Sequence, residues 1–95
     1  PDSLAAAGAR HFLQNGCGAC HTARGTVADG RVGPDLTHLA SRQTIGASLL
    51  PNDRENLRHF LVDPERVKPG IVMPHFGMLP DPEIDALVAY LASLE

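Results

Sequence analysis

Three observations predict an all-α fold. Apolar residues recur at helical spacing near both ends of the chain, most clearly at Ile84, Leu87, Val88, Leu91 and Leu94. Glycine and proline cluster between those stretches, at 22–35 and 68–80, and no run alternates as a strand does. The 95 residues include no tryptophan, three phenylalanines and one tyrosine, so the helices need further apolar bulk to pack around. Residues 1–95 are read as one domain of about four to five helices.

Asp2 or Ser3 caps a first helix running to about Asn15, with Gly16 as its stop. Leu4, Gly8 and Phe12 recur at spacing four and mark one face. A glycine inside a helix is costly unless something approaches closely, so Gly8 points to a tight helix–helix crossing.

Cys17-Gly18-Ala19-Cys20-His21 follows at once. C-x-x-C-H is the sequence by which haem c is attached. Each thiol adds across one vinyl group of the porphyrin, and the next residue, an imidazole, is placed to ligate the iron. Other readings weaken on inspection. A thioredoxin-like C-x-x-C lies beside a βαβ pattern, and none is present. A structural zinc site wants four ligands, but there is no other cysteine, and His11, His38, His59 and His75 show no paired spacing. A disulfide across two residues would be a poor staple. A covalently held porphyrin also supplies the missing apolar bulk.

Residues 22–35 form a loop returning along the haem edge, with Val27 and Val32 as its apolar anchors and Gly33-Pro34-Asp35-Leu36 as its end. The Pro34 carbonyl is a candidate acceptor for the free ring N–H of His21, a bond that orients the imidazole and makes it a stronger donor to iron. A helix of about two turns is expected next, with Asp35 or Thr37 near its start. Asn52 then caps a helix with Glu55 three residues on, Leu57, Phe60 and Leu61 give its inner face, and Asp63-Pro64 ends it. Pro64–Val67 makes a further turn. In the last helix Asp81 caps and Pro82 takes the first position.

The loop at 71–80 carries both methionines. A thioether opposite imidazole stabilises reduced iron and raises the potential. Met73, before a stiffening Pro74, is the preferred sixth ligand; Met78 and His75 are the alternatives.

The formal charge is −3, which argues against nucleic-acid binding. A single lysine, Lys68, leaves no cationic docking ring, so partner contact is expected on the apolar rim near Phe76. No stretch approaches the roughly 20 apolar residues of a membrane span. Pro1 opens on what already reads as a helix start, as expected of a domain cut from a longer chain. Haem attached at C-x-x-C-H matures outside the cytoplasm, so a bacterial periplasmic location is expected. His11, His38 and His59 read as surface residues, and Arg54, Arg58 and Arg66 as a solvated face.

In this order, Gly8-x-x-x-Phe12, Cys17-x-x-Cys20-His21, Gly33-Pro34-Asp35-Leu36, Arg42, Met73-Pro74 and Leu87-x-x-Tyr90-Leu91 resemble the class I cytochrome c family over essentially the whole chain. The resemblance implies a small helical fold around one haem c, iron ligation by His21 and Met73, the Pro34 carbonyl accepting from His21, and Arg42 near a haem propionate. The family's usual tryptophan is missing, so a partner for the second propionate is not identified. Gly33–Arg42, Pro51-Asn52, Lys68-Pro69-Gly70 and Ile84–Leu91 are similar to the cytochrome c domain fused to subunit II of bacterial haem–copper oxidases. That narrower likeness implies one-electron transfer from a small extracytoplasmic donor to a dinuclear copper centre, within a membrane-anchored subunit. The domain does no bond-making chemistry itself. A diffusible respiratory cytochrome, and the haem domain of a multidomain dehydrogenase or reductase, are the alternatives.

Overall fold

A computed structural model describes residues 3–21, 23, 28, 30, 35–45, 50–71 and 73–94. Five α-helices are formed among them: α1 (Ser3–Gln14), α2 (Cys17–Cys20), α3 (Arg54–Val62), α4 (Pro64–Val67) and α5 (Asp81–Ala92). A 3-10 turn covers Leu39–Ser41, and two short strands, β1 (Thr44–Ile45) and β2 (Leu50–Pro51), pair antiparallel with Ile45 opposite Leu50. The strands were not expected; a ladder of two residues is too short to show alternation.

The fold is built on the crossing of α1 over α5. Gly8 is the contact point: a Cβ there would lie 1.9 Å from the Ala86 carbonyl oxygen and 2.7 Å from the Tyr90 Cβ. Only hydrogen lets the backbones approach so closely. Phe12 meets Tyr90 edge to face, with ring centroids 5.4 Å apart, a geometry that contributes about 0.5–1.5 kcal/mol beyond area burial. Leu4, one turn before Gly8, is 44% exposed, because crossing helices diverge away from their contact point. Ile84, Leu87, Val88 and Leu91 of α5 are all buried, as their spacing predicts, and Ala86, Ala89 and Tyr90 are buried too.

Other boundaries move for identifiable reasons. The Asp53 side chain, not that of Asn52, caps α3 by accepting from the Asn56 N–H at 2.7 Å. Asp63 then closes α3 and caps α4, accepting from the Arg66 N–H at 3.3 Å. Pro80, not Asp81, is the cap residue of α5, its carbonyl accepting from Glu83 and Ile84. Arg58 Nη2 lies 2.9 Å from Asp81, and Arg58 Nη1 pairs with Asp85, so this arginine clamps α3 to α5 and does not lie on a merely solvated face. The two-turn helix expected after Leu36 is a single 3-10 turn. The Ala40 N–H that would continue an α-helix donates instead to the Leu94 carbonyl, 2.6 Å away. Among the described residues no helix is long and apolar enough to cross a membrane.

Candidate functional site

Gly16 ends α1 in the left-handed region, at φ 79°, where a side chain would be strained. The chain turns there into α2, whose single turn carries Cys17 and Cys20 at spacing three, on one face. His21 leaves that turn in extended backbone, φ −120° and ψ 144°, its N–H donating to the Cys17 carbonyl at 2.9 Å. Cys17 and His21 are half-buried, Cys17 packed against the core. The returning loop is pinned on α2: the Gly30 N–H donates to the Gly18 carbonyl at 3.0 Å. A Cβ on Gly18 would fall 2.9 Å from the Ala28 Cβ, so the motif's first spacer has no room to grow. Buried Ala23 and Ala28 are the described anchors of this loop. Val27, Val32 and Pro34, for which roles were expected, lie outside the described residues, as does the side chain of Cys20.

The methionine loop distinguishes its two thioethers. The Phe76 N–H donates to the Leu61 carbonyl at 2.9 Å and the Leu79 N–H to the Phe76 carbonyl at 3.1 Å, so residues 76–79 form a turn held on the end of α3. Met78 projects from it, 67% exposed, whereas Met73 is half-buried and packed against the core. His75 is exposed.

Arg42 is exposed, and its Nη2 donates to the Asp35 carbonyl at 2.6 Å, which brings it to the residue following Pro34. Asn52 has a task that its reading as a cap missed: its side-chain amide donates to the Leu39 carbonyl at 2.8 Å and the Arg42 carbonyl at 2.9 Å. No local signal in the sequence marks these partners, which lie in another turn. His11 is half-buried, with Nδ1 3.1 Å from Glu83 Oε1 but without hydrogen-bond directionality. An open cleft of about 460 Å³ lies beside α3 and α4 between Leu50, His59, Val62 and Val67. Cys17, His21 and Met73 do not line it.

The donor set suits a haem: two cysteines on one turn, a histidine at the next position and a core-packed thioether. Leu36, Met73, Phe76 and Leu79 pack against the core yet stay partly uncovered, as the flanks of a flat apolar group would. No polar or charged residue is buried among those described, so the interior is of low polarity.

Comparison with known proteins agrees with this chemistry. Residues 5–95 match the family described as Cytochrome c. The chain is 37% identical over 94 residues to cytochrome c oxidase subunit 2 of Alkalihalophilus pseudofirmus, covering 99% of this chain and 27% of that protein. It is 40% identical over 81 residues to the subunit 2 of Bacillus sp. PS3, covering 84% of this chain and 22% of that protein. The chain therefore spans only about a quarter of these relatives' lengths. Among solved structures, the c-type cytochrome SorU from Sinorhizobium meliloti superposes with a TM-score of 0.67 at 28% identity, covering 99% of this chain and 93% of that one. Cytochrome cH from Methylobacterium extorquens gives 0.66 at 28% identity, covering 92% and 95%. From its motif, its fold and these matches, the chain belongs to the cytochrome c family, whose members carry haem c and transfer electrons.

Proposed function

We propose that residues 1–95 are a single haem c domain that passes electrons one at a time to the dinuclear copper centre of a cytochrome c oxidase, as part of its subunit 2. The observation that carries this reading is the turn presenting Cys17, Cys20 and His21 in succession, in a chain with subunit 2 relatives matched over nearly its whole length. Cys17 and Cys20 would hold the group covalently, and His21 and Met73 would ligate its iron. When bound, haem c supplies a one-electron couple, and the chain makes and breaks no bond in the reaction.

The protein's own part is to hold and to tune. Gly16 and α2 bring Cys17, Cys20 and His21 into one stretch of backbone. The Pro34 carbonyl would orient His21 by accepting its ring N–H. Arg42 would place a positive charge by a propionate, which favours the reduced state. The apolar interior also favours the less charged state. The Phe76–Leu79 turn offers an apolar rim to an extracytoplasmic donor protein, and the parent subunit holds the domain on the periplasmic face of the membrane.

A rapid-mixing experiment tests the reading. Reduced protein mixed with the oxidised copper domain of the oxidase should lose its electron as the copper gains one, in equal amounts. Failure of that transfer, with the domain intact, overturns the oxidase assignment. A second reading, a diffusible carrier, is favoured by the match to over nine-tenths of SorU and cytochrome cH. Immunoblotting separates the two: a native polypeptide of about 10.1 kDa in the soluble fraction supports the carrier, and a longer membrane-bound one the oxidase subunit.

A further inference from the structure

Asn52 spends both side-chain N–H groups on one turn. They donate to the Leu39 carbonyl at 2.8 Å and the Arg42 carbonyl at 2.9 Å, the first residue of the 3-10 segment and the residue that caps its end. Its backbone N–H donates to the Gln43 carbonyl, also at 2.9 Å, so Asn52 grips the residues on both sides of the Arg42 Cα. From this fixed base the Arg42 side chain reaches back to the Asp35 carbonyl at 2.6 Å. The Asp35 carboxylate is engaged by Thr37, through its N–H at 2.9 Å and its hydroxyl at 2.5 Å. Among the described residues, Arg42 makes no ion pair with a carboxylate. A guanidinium fixed at its base and steadied by a carbonyl, with no carboxylate partner among the described residues, is set up to receive an anion.

We infer that Asn52 is a positioning residue for Arg42, bracing the turn so that the guanidinium faces a haem propionate and tunes the reduction potential. This rests on the proposed haem site and on the role proposed there for Arg42. Leucine at position 52 has similar bulk and no donor. It would leave the Leu39 and Arg42 carbonyls without their side-chain partner, free the turn to shift, and let the guanidinium move from the propionate. Coulomb attraction weakens with distance, so the oxidised state becomes less disfavoured and the potential falls.

The test uses Asn52→Leu, Arg42→Gln and the double variant in the haem-loaded protein. Reduction potential is read by spectroelectrochemical titration and exchange of the Arg42 amide by NMR. Asn52→Leu should speed that exchange about tenfold, as expected for losing hydrogen bonds of ordinary strength, and lower the potential. Arg42→Gln should also lower the potential, and the double variant should fall no further than Arg42→Gln alone. If Asn52→Leu does not fold, Asn52→Ser, with one donor kept, should give a smaller shift of the same sign. Faster exchange with an unchanged potential in the Asn52 variant, where Arg42→Gln lowers it, would make Asn52 merely structural and leave the Arg42 reading standing. Additive shifts in the double variant would likewise overturn the inference. An unchanged potential in Arg42→Gln would overturn both the inference and the role of Arg42 beneath it.

Discussion

Gly8→Ala sets two local rules against each other. In an isolated helix, alanine is favoured over glycine by about 1 kcal/mol. Here the new methyl would sit 1.9 Å from the Ala86 carbonyl oxygen, against an ordinary contact of at least 3.4 Å. The obstacle is backbone in the middle of α5, so it cannot rotate aside as a side-chain end would. The helices must separate by roughly 1.5 Å at the crossing, the difference between those two distances. Overpacking of this kind costs about 1–3 kcal/mol, and separation also loosens the Phe12–Tyr90 contact, which contributes about 0.5–1.5 kcal/mol. After the propensity gain, a net loss of about 0.5–3.5 kcal/mol remains, on the order of 10 °C in Tm at the middle of that range for a domain of this size. Thermal unfolding of the haem-loaded protein, followed by far-UV circular dichroism, measures it. An unchanged or raised Tm would refute the reasoning, since that is what propensity alone requires.

Three further predictions concern the ligand loop, the clamp and the buried tyrosine. Met73→His should keep the haem but lower the potential and remove the weak near-infrared band of sulfur-ligated oxidised iron, while Met78→Leu leaves both unchanged; the reverse pattern would move the axial role to Met78. Arg58→Ala should cost about 0.5–1 kcal/mol in urea titrations at low salt and less at high salt, because its pairs with Asp81 and Asp85 touch solvent. Burial raises the Tyr90 hydroxyl above its ordinary pKa of 10.0, so the unfolded chain ionises first. Stability should therefore be intact below pH 10.0 and fall as pH rises towards the folded-state value, and Tyr90→Phe should flatten that alkaline limb.

The parts of the fold legible in the sequence are those governed by local period or by contiguity. The stripe on α5 repeats at helical spacing and is buried along its length, and Gly8 is conspicuous because a glycine within a helix needs a reason. Cys17, Cys20 and His21 can be proposed as a site from the sequence because their chemistry requires adjacency in the chain. Tertiary competition hid the rest. Asn52 and Asp53 are both good caps, and only the demand of the Leu39 and Arg42 carbonyls on Asn52 leaves the task to Asp53. The helix expected after Leu36 stops at one 3-10 turn because the Leu94 carbonyl, from the other end of the chain, takes the Ala40 N–H. Asp81 follows the cap of α5 by one residue and faces Arg58, a pairing between helices that no local pattern announces.

The measurement that bears most directly on the central claim is an absorption spectrum of the reduced protein, taken before and after acid–organic extraction. The two thioether bonds proposed for Cys17 and Cys20 require sharp haem c bands that stay with the polypeptide through extraction. Haem that passes into the organic phase, or a protein matured in a haem c-competent host that shows no haem bands, would contradict the account.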